Sequence, residues 1–232
     1  MGIQERKERE KEARREDIIS AAEQIFLEKG FVSTTMDEIA ESCELSKGTL
    51  YLYYHSKEDL IVAVSMRGME IMNNLFKGAV STGEPTIKLI ENLGEAYYAF
   101  FKNHRAYFRL FYFFESPQFH TQVSAGMKEM CMVHDRKTWD LVTDLIKKGI
   151  QEEMLHKDLD PLEVAIMLWS NSNGFLRLLD RDHNYWEETM GIDLERTLRR
   201  SNALLVEAMM TEKALQIYPR VIGEHPVPRK DS

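Results

Sequence analysis

Apolar residues return every three to four positions along most of the chain, the period of an amphipathic helix rather than of a strand. Ile18, Ala22, Ile25 and Phe26 share one face of a first helix, Ile19 broadens it, and Gly30 stands where a C-terminal cap belongs. Upstream, residues 4–16 mix charges of both signs without an apolar face. That run reads as a solvated helical extension or a disordered arm. A second helix starts at Thr35, whose hydroxyl and the Glu38 carboxylate three residues on can close a capping box, with Ile39 and Ala40 inward. A third runs from Ser46 to about Tyr54. A fourth starts at Ser56, where Asp59 can close another box, and runs to about Val80.

Ser81–Pro85 is a small-residue break, and Pro85 suits the first turn of a new helix. Helices are then expected at about 85–103, 106–115, 121–155, 160–181 and 193–213. Asp160, Pro161 and Glu163 mark one start clearly, in cap, first and third positions. Residues 182–192 read as a loop, and 216–232, with three prolines, as a flexible tail. The expected fold class is all-α. Its divisions are a charged arm (1–16), a three-helix head (17–62), a larger helical domain (63–215) and the tail.

The head carries the first sign of function. Thr35–Cys43 and Ser46–Tyr54 are two short helices joined by a tight turn, the spacing of a helix-turn-helix whose second helix enters the DNA major groove. Charge opposes this. The chain has a formal net charge of −8, and residues 1–60 hold nine Lys and Arg against fourteen Asp and Glu. DNA binding must therefore rest on where individual cations sit, not on net charge. The arm cations, from Arg6 to Arg15, are interleaved with glutamates, so minor-groove contact and simple solvation both stay open. Cys43 and Cys131 have no metal-ligand or redox spacing, which fits reduced cytosolic thiols. The N-terminus lacks the apolar core of a signal peptide, and no apolar run is long enough to span a membrane. No H-E-x-x-H, G-x-S-x-G or P-loop pattern occurs. Neither an enzyme nor a catalytic residue, metal or cofactor is expected, and the cytoplasm is the expected location.

The stretch "TTMDEIAESCELSKGTLYLYYHSKEDL" resembles the DNA-binding signature of the tetracycline-repressor (TetR) family of transcriptional regulators. The match lies in Thr35, Ile39-Ala40, Ser46-Lys47-Gly48, Leu50-Tyr51, Tyr54 and Ser56 to Leu60; in detail it covers residues 18–62. Glu44 stands where the family's turn usually carries glycine, and a left-handed Glu44 would cost about 1 kcal/mol relative to glycine. The candidate DNA-binding residues are Thr35, Ser46, Lys47, Gly48, Thr49, Tyr51, Tyr53 and Lys57. Ser46, Lys47 and Thr49 occupy a helix's first turn, where free N–H groups favour phosphate. Gly48 permits close approach. The resemblance turns Tyr51 and Tyr53 toward DNA and Tyr54 into the small core, while Lys57 and the Thr35 hydroxyl are expected to bind phosphate.

Beyond the head, aromatics crowd residues 97–119 on more than one helical face, more than one buried stripe needs. An apolar pocket is expected, with Phe101, Phe108, Phe111, Tyr112, Trp139 and Trp169 as lining candidates and a small apolar or aromatic effector as ligand; core packing is the alternative for each. The last two long helices are expected, by resemblance, to pair with their copies as a four-helix bundle in a homodimer. The candidates are Leu168, Gly174, Phe175, Leu178, Leu198, Leu205 and Met209, with intrachain packing as the alternative. The whole implies a ligand-responsive regulator, a repressor by family habit, released from a near-palindromic double-stranded DNA operator by its effector. The rival reading is a helical interaction or hydrophobic-ligand carrier protein, which predicts no salt-dependent, sequence-preferring DNA binding.

Overall fold

The structure, a computed structural model, describes residues 2–218, with the backbone alone described for residues 3 and 182–184. Among these residues, eleven α-helices follow in order: α1 (Ile3–Lys29), α2 (Met36–Ser42), α3 (Lys47–Tyr53), α4 (Lys57–Val80), α5 (Thr86–Asn103), α6 (Arg105–Leu110), α7 (Pro117–Gln122), α8 (Ala125–Gln151), α9 (Pro161–Asn184), α10 (Leu194–Met209) and α11 (Glu212–Ile217). Their only β-type pairing is an isolated bridge between Leu155 and Met210. The all-α expectation holds. The expected tail lies mostly outside the described residues; its first residues, Gln216 and Ile217, end α11.

Helix starts follow the local chemistry. Thr35 and Glu38 close their box, with the Thr35 N–H donating to Glu38 Oε2 at 2.8 Å. Ser46 Oγ accepts the Thr49 N–H at 3.1 Å, and Asp160 Oδ1 accepts those of Leu162 and Glu163. Gly30 ends α1 with φ 81° and its N–H on the Phe26 carbonyl. Other boundaries differ. The charged run 4–16 is helical and continuous with α1. The segment expected as one helix over 106–115 tightens at Phe111–Glu115 into a 3₁₀ turn. α7 then stands apart from α8, whose start shifts to Ala125. Residues 182–192, expected as a loop, carry the end of α9 and a π-helical turn at Tyr185–Thr189.

The chain forms two compact units, and these cut across the boundary expected at residue 63. Met1–Ile71 joins with Asn103–Arg136 in the first; Met72–Lys102 joins with Lys137–Ser232 in the second. In the first unit, Ile18, Ala22, Phe26, Ile39, Leu50, Tyr54 and Leu60 are buried, the small core expected of a three-helix head. Burial pushes the Tyr54 phenol up to about 12. This core extends through a chain of rings: Phe26 to Phe31 at 5.8 Å, Phe31 to Phe113 at 5.0 Å, and Phe113 to Phe119 at 6.2 Å. Arg67 of α4 pairs with Glu16 and Glu23 of α1, and the Tyr107 hydroxyl of α6 donates to the same Glu23 carboxylate. Gly68 lets Tyr107 lie against α4, because a Cβ there would come within 2.7 Å of its ring. The Asp59 carboxylate, expected to close the cap of α4, accepts the backbone N–H of Ser124 at the start of α8, 2.8 Å away. Asp59 is 2 % exposed, so that bond joins two helix starts in the interior.

In the second unit α9 packs on α10 through a polar seam. Asn171 donates to Asn202 at 2.7 Å, Ser172 donates to the same oxygen, and Ser201 donates to Asn171. α8 ends in a Schellman motif with Glu153 left-handed, φ 57°, and the Met154 N–H on the Gly149 carbonyl.

Candidate nucleic-acid interface

The turn between α2 and α3 decides whether a helix-turn-helix exists. Glu44 has φ 56°. The Leu45 N–H bonds the Ala40 carbonyl at 2.9 Å and the Glu44 N–H bonds that of Glu41 at 3.0 Å. This is a full Schellman motif with glutamate in the glycine position. The geometry survives the substitution, and Glu44 bears the strain of a left-handed L-residue.

α3 is seated by Leu50, 0 % exposed, on its inner side. Ser46, Lys47 and Gly48 are exposed at its start, and Thr49 is half-buried with its hydroxyl 2.8 Å from that of Ser46. Tyr51 is exposed and Tyr53 half-buried. Four of the eight candidates, Thr35, Lys47, Tyr51 and Lys57, line one open cleft of about 410 Å³, shared with Thr34, Met36, Asp37, His55, Ser56 and Glu58. Ser46, Gly48, Thr49 and Tyr53 do not line it.

Two acidic partners hold the cations of this region. The Lys47 ammonium pairs with Asp37 Oδ1 at 2.7 Å, and that hydrogen bond raises its pKa. Lys29 pairs with Glu38. That hydrogen bond, followed by those from Thr35, brings the Glu38 carboxyl down to about 2. Lys57 has a role the sequence did not show. Its ammonium donates to the carbonyls of Phe31 at 2.9 Å and Thr34 at 2.8 Å, and sits 4.3 Å from the centre of the Phe31 ring. Two of its three N–H donors thus fasten the α1–α2 connection, leaving one for a phosphate.

Sequence reasoning passed over Leu52, which is 81 % exposed on α3. Its spacing of four from Gly48 was the available signal. Asp37 was also passed over, although it precedes the glutamate of the capping box.

The expected pocket residues fall in different units. Phe108, buried, stands edge-on to Tyr112 at 5.5 Å, and Phe111 lies 6.0 Å from Phe114, in the first unit. Phe101 is buried in the second unit, where Trp139 and Trp169 meet edge-on at 5.9 Å. Of the dimer candidates, Leu198 and Met209 are buried within the single chain, which is the intrachain alternative for those two. Leu168, Phe175, Leu178 and Leu205 are half-buried and Gly174 is exposed. Leu162, Ile166, Met167 and Trp169 are the exposed large apolar residues of α9.

Comparison with known proteins agrees with this geometry. The family model described as "Bacterial regulatory proteins, tetR family" matches residues 18–64, from the inner face of α1 to the first turns of α4. The HTH-type transcriptional activator FasR of Mycolicibacterium smegmatis is 28 % identical over 141 residues, 60 % of this chain and 61 % of FasR. The HTH-type transcriptional regulator UidR of Escherichia coli K12 is 47 % identical over 53 residues, 23 % of this chain and 27 % of UidR. The chain thus spans from about a quarter to three fifths of the length of these curated relatives. Among solved structures, the fatty acid degradation regulator FadR of Bacillus halodurans has the same fold. Its TM-score is 0.58 at 16 % identity, over 83 % of this chain and 94 % of FadR. Residues 18–64 thus match the tetR family of bacterial regulatory proteins, and the helical layout of most of the chain agrees with that of FadR.

Proposed function

We propose that the protein is a DNA-binding transcriptional regulator that reads a near-palindromic operator as a homodimer, one α3 per half-site. The observation that carries this reading is α3 itself. It is a short helix with a buried anchor at Leu50, and Ser46, Lys47, Gly48, Tyr51 and Leu52 are exposed on it. Lys47 and Tyr51 also border the cleft that Thr35 and Lys57 share. The phosphate oxygens are met by the Thr35 hydroxyl, the Lys47 ammonium and the remaining donor of Lys57, which fix register. Lys47 exchanges Asp37 for phosphate when it binds. With two lysines in each of two heads, about four phosphates are neutralised. The affinity should then fall with salt at a logarithmic slope of about −4.

Dimerisation falls to the outward faces of α9 and α10. The exposed Leu162, Ile166 and Met167 lie there with the bare backbone of Gly174, which admits close helix approach. An apolar or aromatic small molecule bound in the C-terminal half is the effector. The names of the B. halodurans and Clostridium perfringens neighbours, a fatty acid degradation regulator and a putative fatty acid metabolism regulator, support an apolar class. Release requires the effector to bind the DNA-incompetent conformation more tightly than the other. Operator binding represses transcription, and the protein acts in the cytoplasm.

The test is selection of bound duplexes from a random pool with the wild type and with Lys47→Ala plus Tyr51→Ala, both at exposed positions. Enrichment of a near-palindrome by the wild type only is the expected result. A folded dimer that enriches nothing at low salt would remove the reading. A panel of fatty-acyl and aromatic compounds should raise the melting temperature and release the selected duplex.

A further inference from the structure

α3 advances about 100° per residue, so Leu52 lies about 200° round the helix from Leu50. Leu50 is 0 % exposed and Leu52 81 % exposed. Leu52, not either neighbouring tyrosine, is therefore the side chain opposite the buried anchor. Gly48 is one turn earlier on the same stripe. A Cβ built there would meet nothing nearer than the Ser46 hydroxyl at 3.9 Å. A leucine in a helix leans over the turn N-terminal to it, so Leu52 leans over the space that Gly48 leaves open. The most protruding part of the helix is thus a bare backbone turn with one aliphatic side chain across it.

A lone exposed leucine on an ordinary surface carries no message. Here its position on the reading helix, continuous with Lys47 and Tyr51, restricts what it meets. It cannot donate or accept a hydrogen bond, so it is blind to the polar edges of the bases. The major groove displays one apolar group, the C5 methyl of thymine. We infer that Leu52 is a specificity-determining residue that reads a thymine methyl in each half-site, the Gly48 turn giving it the room to do so. This rests on the DNA-binding reading above. It deepens that reading by assigning the contacted group as a methyl rather than a hydrogen-bonding edge. The same contact accepts 5-methylcytosine and rejects uracil and cytosine.

The test uses the duplex selected by the wild-type protein, with each thymine replaced singly by deoxyuridine. The wild type should lose about fourfold in affinity at one thymine per half-site, the worth of one buried methyl. Leu52→Ala, at an exposed site and with better helix propensity, should fold and melt like the wild type. Its sensitivity to the same replacement should fall below about twofold. Selection with Leu52→Ala should also lose the thymine preference at that position. Wild type indifferent to every deoxyuridine replacement overturns the inference, as does Leu52→Ala retaining the full loss. Unchanged binding by Leu52→Ala would put the side chain outside the groove, as a contact for another protein, and also overturns it. Failure of the wild type to select any sequence is a separate result, which removes the DNA-binding reading itself.

Discussion

Glu44→Gly is expected to stabilise the reading head. Glu44 adopts φ 56°, which costs an L-residue roughly 1–2 kcal/mol relative to the right-handed region. Glycine relieves that strain and returns about 0.5–1 kcal/mol through the greater freedom of its unfolded chain. The carboxylate makes no hydrogen bond or ion pair among the described residues. It stands just past the C-terminus of α2, where a negative charge is unfavourable by a few tenths of a kcal/mol or more. The net gain is therefore about 1 kcal/mol. Hydrogen exchange is the suitable assay, because Trp139, Trp169 and Trp186 all belong to the second unit. The Cys43 and Leu45 amides, which bond the Ile39 and Ala40 carbonyls, should gain about fivefold in protection. Glu44→Ala removes the charge and keeps the strain, so it should recover less than half of that gain. An equal gain from alanine would make charge the cause, and a loss with glycine would refute the strain argument. Glu153 occupies the same motif position at φ 57° but pairs with Lys213 at 3.3 Å, so Glu153→Gly should gain less.

Further outcomes follow from contacts in the first unit. Lys57→Ala should weaken DNA binding and also destabilise the α1–α2 connection by about 1–3 kcal/mol, because the Phe31 and Thr34 carbonyls lose a charged donor. Lys47→Ala should weaken DNA binding alone; binding titrations and urea unfolding of both variants separate the two effects. The Glu38 carboxyl, held down to about 2 from its ordinary 4.5, adds stability that is fully present above pH 4.5 and is lost as pH falls through 2. NMR titration of its side chain should show this value, rising in Thr35→Ala. Gly68→Ala should cost roughly 1–3 kcal/mol, since the new Cβ meets the Tyr107 ring at 2.7 Å. Denaturant midpoints measure it, and pairing it with Tyr107→Ala should recover part of the loss.

What the sequence disclosed was what short-range chemistry controls. The caps at Thr35, Ser46 and Asp160 and the stop at Gly30 each need only residues within a few positions, and each stands in the structure as read. Periodicity also found the buried face of the head, because Ile18, Ala22 and Phe26 repeat over two turns. It failed where one composition suits two geometries. The run from Phe111 to Phe114 is equally apolar as α-helix or 3₁₀ turn, and its link to Phe31 depends on residues about eighty positions away. The fastening role of Lys57 was not legible because its carbonyl partners lie 23 and 26 residues earlier in the chain. Leu52 carries no signal of its own in the sequence, because a leucine in a short helix reads as core and its exposure is set by Leu50 pointing the other way.

The Asp59–Ser124 bond bears on how this head can be moved between proteins. A chimera cut after the fourth helix's first turns would carry Asp59 and Phe31 without Ser124 and Phe113. The acceptor's own helices would then face a buried carboxylate chosen for a different neighbour, at a cost of several kcal/mol. The transplantable block is discontinuous, residues 1–71 together with 103–136. Exchange of reading heads among relatives, in the laboratory or by recombination, has to respect three cut sites rather than one.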